Sequence, residues 1–294
     1  MSLRTPAPRD PRVGAASSRI ASLAALLVLA TFACSEGGSV DGAAAQAQTG
    51  AAPARPAAPP PGPCRLTLGW EPKEPYEYRS VDGALAGLDI ELAQAILTQA
   101  RCELLFAEGR WVTLVRRLQR GEVDVLAGAA RTPARDAFAL FSDPYRTGGF
   151  ALYVRKGDAT VQRSTTLQAL LDTGFRLGIR EEYSYGESID ALQEDPHYGD
   201  QFIGATLGDQ NYQRLLDLEI DGFLEDPVSA RIYIRKKGLQ EETEAHPLPI
   251  YSGDVALMFS RTSVDPAIVA RINAAIAALK TESAWRSIVE KYAY

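Results

Sequence analysis

Of 294 residues, 46% are hydrophobic and 23% charged, the balance of an ordinary globular protein. A formal net charge of −6 argues against a nucleic-acid partner, which would favour a basic patch. Three cysteines and two histidines, His197 and His246, make no cluster of metal ligands, so neither a metal nor a cofactor is expected.

The chain opens with Arg4, Arg9, Arg12 and Arg19, then an apolar run from Ile20 to Phe32, then Ala33 and Cys34. That run is shorter than the roughly 20 residues a spanning helix needs and has the length of a signal-peptide core. Residues 1–34 are therefore expected to be a signal of the lipoprotein type, with Cys34 lipidated and anchoring the protein to a membrane in the periplasm. Thr31 and Phe32 depart from the usual leucine and small residue ahead of such a cysteine; the alternative is ordinary secretion with cleavage near Ala43–Ala47. Residues 35–63 are rich in Ala, Pro, Gly and Gln and end in Pro59-Pro60-Pro61-Gly62-Pro63. Such a stretch cannot bury enough apolar surface to offset ordering, and reads as a tether averaging on the order of 30 Å.

From Cys64 onward the pattern alternates strand and helix. Cys64–Trp70 and Cys102–Phe106 read as strands, flanking a helix opened by Asp89 with Ile90, Leu92, Ala93, Ile96 and Leu97 on one face. Neighbouring parallel strands would bring Cys64 and Cys102 together, and an exported compartment permits the disulfide; two buried free thiols are the alternative. A helix with Trp111, Leu114, Val115 and Leu118 on one face stops at Gly121, before a strand at Val123–Ala127. Further strands are read at Phe150–Val154, Phe175–Ile179, Ile220–Leu224 and Val255–Phe259. Helices are read at Gly186–Leu192, Tyr212–Leu218 and Val228–Gly238, after Asp265, and around Trp285. Such alternation predicts an α/β fold with a mostly parallel sheet covered on both faces.

The densest signal lies between Trp70 and Tyr145: Pro75-Tyr76-Glu77-Tyr78, Gly87-Leu88-Asp89-Ile90-Glu91-Leu92, Trp111 and Gly121-Glu122-Val123-Asp124. It continues with Gly128 through Arg135 and Phe141-Ser142-Asp143-Pro144-Tyr145. In order and spacing this resembles the family 3 extracellular solute-binding proteins, the polar amino-acid receptors of ABC importers, over residues 64–294. The resemblance implies a periplasmic binding protein fold of type II, with two α/β lobes and a ligand cleft between them. Lobe 1 would be 64–147 plus 253–294 and lobe 2 would be 148–252. It further implies a small amino-acid-like ligand and an ABC permease as partners; a monomer is expected.

Candidate ligand contacts follow residue by residue. Arg135 matches the family arginine that clamps a ligand carboxylate through its planar fork; the plainer alternative is a salt bridge with Asp136 or Asp143. Gly128 and Ala129 match a strand end whose backbone meets the ligand. Ala130 stands where relatives often carry Ser or Thr. Trp111 matches an aromatic wall, though it also suits its helix's apolar face. Tyr76 is the aromatic best placed to touch ligand, while Lys73 stands where many relatives have an aromatic ring. Arg180 and Ser184, in the loop opening a helix, suit an anion; Arg180 could instead pair with Glu181 or Glu182. Asp226 matches the family acid that holds a ligand amino group, and is equally suited to capping the helix begun by Pro227.

Two other classes stay open. The same lobes can serve as a ligand-sensing module for a signalling partner. Less favoured is an enzyme resembling cyclohexadienyl dehydratase, with Glu225 or Asp226 as general acid or base; no nucleophile–histidine pair or metal motif supports it. No catalytic residue is therefore assigned.

Overall fold

The computed structural model describes residues 64–158, 161 and 163–292. The expected signal segment, Cys34 and the 35–63 tether lie outside these described residues.

The first strand, β1 (Cys64–Trp70), leads through the hairpin of β2 (Tyr78–Arg79) and β3 (Leu85–Ala86) to α1 (Leu88–Gln99). Helix α1 buries Ile90, Leu92, Ala93, Ile96 and Leu97, the face its sequence spacing dictates. Next come β4 (Cys102–Glu108), α2 (Trp111–Gln119), β5 (Val125–Ala129), the short α3 (Pro133–Asp136) and β6 (Ala139–Phe141). Strand β7 (Arg146–Arg155) leaves this half of the molecule. The second half holds α4 (Leu167–Leu171), β8 (Leu177–Arg180), α5 (Glu187–Glu194), β9 (Phe202–Ala205), α6 (Gly208–Leu216), β10 (Gly222–Glu225) and α7 (Pro227–Lys237). Strand β11 (Thr243–Ser260) returns, and α8 (Pro266–Leu279) and α9 (Ser283–Lys291) close the fold.

The main sheet runs β4-β1-β5-β11-β7-β10-β8-β9, with β6 paired to β11. Its outer parts are parallel: β1 with β4 and β5, and β8 with β9 and β10. The middle is antiparallel, because β7 and β11 run against each other and each pairs against its own half. The sheet is thus mixed rather than mostly parallel, and these two long strands carry the chain between the halves. Strands β8 and β10 are buried at every position, as strands covered on both faces must be.

Each half has apolar clusters on both sides of its strands. In the first, α1 and α8 pack with β1 and β5 around Ile96, Leu257 and Ile272, while α2 covers the other face through Leu114 and Leu118. In the second, α4 and α5 meet β8 and β10 through Leu170, Leu177 and Ile189, and α6 packs Tyr212 and Leu215 against Phe223. Cys64 and Cys102 are register partners at the starts of β1 and β4 and form a disulfide, with Cα atoms 4.5 Å apart. Among the described residues, no helix is long and apolar enough to cross a membrane.

Candidate functional site

The strands of both halves aim their C-terminal ends at one crevice, the usual ligand position in open α/β sheets. Beyond β1, the 71–77 loop brings Glu71, Lys73, Tyr76 and Glu77 to the crevice. Gly87, with φ of 129°, turns the chain where an added Cβ would lie 2.1 Å from the Tyr76 carbonyl oxygen. Only glycine fits there, so the loop is seated directly on the start of α1. Gly128 and Ala130 follow from β5, Tyr183 and Ser184 from β8, and Asp226 from β10. Together they enclose a cavity of about 80 Å³, well below the roughly 300 Å³ at which ligand pockets usually begin.

Groups from the two halves meet directly around this cavity. Glu71 accepts from the backbone N–H of Trp111 at 2.8 Å, holding the start of α2. Its other oxygen accepts from Arg180 Nη2 at 2.8 Å and from the Tyr183 hydroxyl at 3.1 Å, across the crevice. The Arg180 and Glu71 side chains are 8% and 6% exposed, so this ion pair is buried. The Tyr76 hydroxyl donates to Asp226 Oδ2 at 3.0 Å, and the Ser229 hydroxyl donates to the Glu74 carbonyl at 2.8 Å. Lys236 pairs with the Glu74 carboxylate, and Trp111 Nε1 donates to the Glu182 carbonyl at 3.1 Å.

Arg135 is placed differently. Its backbone N–H is received by the Thr132 hydroxyl oxygen, which caps α3, and the side chain runs inward until the residue is 8% exposed. Nη1 donates to the Ala130 carbonyl at 2.7 Å, and Nη2 donates to the Glu182 carbonyl in the other half. Among the described residues no carboxylate makes a salt bridge with it; Asp136 pairs with Arg131 instead. Burial pulls Arg135 below the ordinary arginine value, opposed by the more distant Glu182 and Asp190 carboxylates.

A second guanidinium lines the floor. Arg146 donates to both oxygens of Asp89 at 2.6 Å and lies 4.4 Å from the Tyr76 ring centre. Burial opposes its charge, but Asp89 and Tyr145 hold it well above the usual range. Gly128 lies over this pair with φ of 73°, its N–H donating to the Tyr145 hydroxyl at 2.9 Å. Glu77 sits behind, accepting from the backbone N–H of Glu71 at 3.1 Å. Burial, reinforced by Asp89, pushes the Glu77 carboxyl well above its ordinary range.

Of the residues singled out from sequence, Tyr76, Trp111, Gly128, Arg135, Ser184 and Asp226 line the cavity. Ala129 is buried beneath it, and Arg180 is turned to Glu71 rather than to Glu181 or Glu182. The Ser184 hydroxyl donates to Asp190 at 2.6 Å. Asp226 also caps α7, accepting from the N–H groups of Val228 and Ser229. Glu71, Asp89, Arg146 and Tyr183 line the cavity without having been singled out. The only sequence signals for them were the motifs already quoted: Asp89 lies inside one and Arg146 directly follows another. Among the described residues, no group of three His, Cys, Asp or Glu side chains could hold a metal.

The family described as bacterial extracellular solute-binding proteins, family 3, matches residues 66–294. The chain belongs to that family. One family relative, an arginine-binding periplasmic protein of Mannheimia haemolytica, is 24% identical over 223 residues, covering 74% of this chain and 86% of that protein. Among solved structures, a histidine kinase sensor domain with similarity to periplasmic binding proteins matches with a TM-score of 0.67 at 20% identity, over 78% of this chain and 95% of that one. An ancestral arginine-binding protein bound to arginine matches at 0.66 and 23% identity, over 78% and 97%. These likenesses establish the two-lobed binding-protein fold.

Proposed function

We propose that this protein captures a small amino-acid-like solute outside the cytoplasm for an ABC importer, held to a membrane through lipidated Cys34. The observation that carries the reading is Arg135, a guanidinium buried in the crevice whose hydrogen bonds go to carbonyl oxygens rather than to a carboxylate. A solute carboxylate is the partner that such a planar fork fits in two-point fashion. Asp226, from the opposite half, receives the solute's ammonium. Residues 64–147 with 253–294 act as one jaw and 148–252 as the other. A zwitterion touching both stabilises the shut form by its differential contacts. Tyr76, Trp111, Gly128 and Ser184 complete the walls, Ala129 supports them from beneath, and Arg180 steadies the loop around them, with no catalytic step. The name of the Mannheimia relative, an arginine binder, supports an amino-acid solute.

The test is a melting screen of the purified chain against amino acids, polyamines and small carboxylates. A solute at about 100 times its Kd should add roughly 2.7 kcal/mol. Arg135→Ala should abolish the shift. Asp226→Asn should do so for amino acids while keeping the helix cap, since Asn caps as well as Asp. A shift that survives Arg135→Ala refutes the clamp.

A further inference from the structure

Among the described residues, Lys73 is the cation on the crevice wall that belongs neither to the Arg135 nor to the Arg146 arrangement. Its side chain is 21% exposed and its ammonium lies 3.7 Å from Glu225 Oε1, beyond hydrogen-bond distance. Three rings surround it: Tyr183 at 5.0 Å, Tyr76 at 5.9 Å and Phe150 at 6.0 Å from ring centre to Nζ. Aromatic faces attract a cation but take none of its N–H donors. The Arg180–Glu71 ion pair, which also joins the halves, is much shorter at 2.8 Å. Lys73 is held in position by the rings and by a loose ion pair with Glu225, and its ammonium makes no hydrogen bond among the described residues. Burial works against the charge, but Glu225 and Asp226 more than offset it and raise Lys73 above the ordinary lysine value.

We infer that Lys73 is the specificity residue of the cleft: its ammonium, already inside the aromatic box, excludes a cationic solute side chain and receives a second carboxylate of the solute. The ligand class is a small compound with two carboxylates, one on Arg135 and one on Lys73. This rests on the reading of Arg135 given above. A cationic side chain entering the same box would set two like charges side by side, which is disfavoured in a partly buried site. A carboxylate entering it finds three donors on a fixed ammonium.

Calorimetric titration of the whole protein with L-glutamate, L-aspartate, succinate, L-glutamine and L-arginine tests this. We expect one of the dicarboxylates to bind and L-arginine to bind at least about tenfold more weakly, the size of one hydrogen bond to a charged group. Lys73→Met keeps the apolar stem and should cost the dicarboxylate about tenfold while L-arginine gains; Lys73→Arg should keep the preference for dicarboxylates. Preference for an amino dicarboxylate over succinate would identify an acidic amino acid, and the reverse a plain dicarboxylic acid. Should L-arginine bind the unaltered protein as well as any dicarboxylate, or no dicarboxylate bind, the inference is overturned. The same holds if Lys73→Met leaves dicarboxylate affinity unchanged. If arginine binds and Arg135→Ala abolishes that binding, the clamp stands and only the role of Lys73 falls.

Discussion

Arg180 and Arg135 make an instructive pair, because both are buried at the crevice and both reach toward the opposite half. Arg180 ends on a carboxylate, Glu71, with Tyr183 donating to the same oxygen. Arg135 ends on two carbonyls. Carbonyl dipoles satisfy hydrogen bonds but do not neutralise a charge, so the first arginine is neutralised across the crevice, and on the proposed reading the second is left for the solute's anion. On that reading burial alone does not mark a binding residue; the partner's charge does.

Three changes would break or sharpen that contrast. The largest effect should come from Glu71→Ala, which leaves Arg180 facing a shut crevice without its counter-charge. Removing one member of a buried pair costs about 3–5 kcal/mol. Because the pair spans the halves, the cost falls on closure, and solution scattering should show a larger radius of gyration than for the unaltered protein. An unchanged radius would mean that Arg180 is no latch.

Next in size is the Cys64–Cys102 bridge. It ties the starts of β1 and β4, whereas the crevice lies beyond the strands' other ends, about 20 Å away by strand rise. Cys64→Ser with Cys102→Ser should lower unfolding stability by about 2–4 kcal/mol in a denaturant titration. Solute affinity should hold constant, separating fold stability from closure.

The smallest change should come from Glu77→Gln. Since the folded protein holds the Glu77 proton above the ordinary carboxyl range, the unfolded chain releases it first as pH rises. Stability is then fully present below the unfolded value and falls as pH climbs toward the folded one. Glu77→Gln should flatten that decline in a pH series of melting temperatures. An unaltered slope would show that Glu77 is charged in the folded protein.

How much of this was legible beforehand depends on the range of the interaction. Helix α1 and the pairing of Cys64 with Cys102 follow from local spacing and strand adjacency, and both are present. The resemblance grouped Arg135, Trp111 and Asp226 around one ligand, and the structure has all three lining the same cavity. What escaped was non-local. Arg180 has Glu181 and Glu182 beside it in sequence, yet its partner is Glu71, 109 residues away. Asp89 and Arg146 are likewise separated by 57 residues. Strand β11 was read only at Val255–Phe259, although it begins at Thr243. Pro247 and Pro249 interrupt its pattern, and the ladder shifts register around Pro249, so alternation fails as a guide there. Helix α6 starts at Gly208, four residues before Tyr212, because Gln210 turns its side-chain oxygen back onto the N–H groups of Thr206 and Leu207.

Glu74 has a consequence of its own. Its carbonyl and carboxylate are gripped by Ser229 and Lys236, both on α7, so a seam forms on the outside of the crevice. Lys236 is 61% exposed, and the seam therefore faces outward. Both halves contribute to it, so neither side is a complete surface by itself. On the proposed reading, in which the solute stabilises the shut form, a partner that touches both sides of this seam senses loading from the outside, as one reads a closed clasp, without meeting the solute.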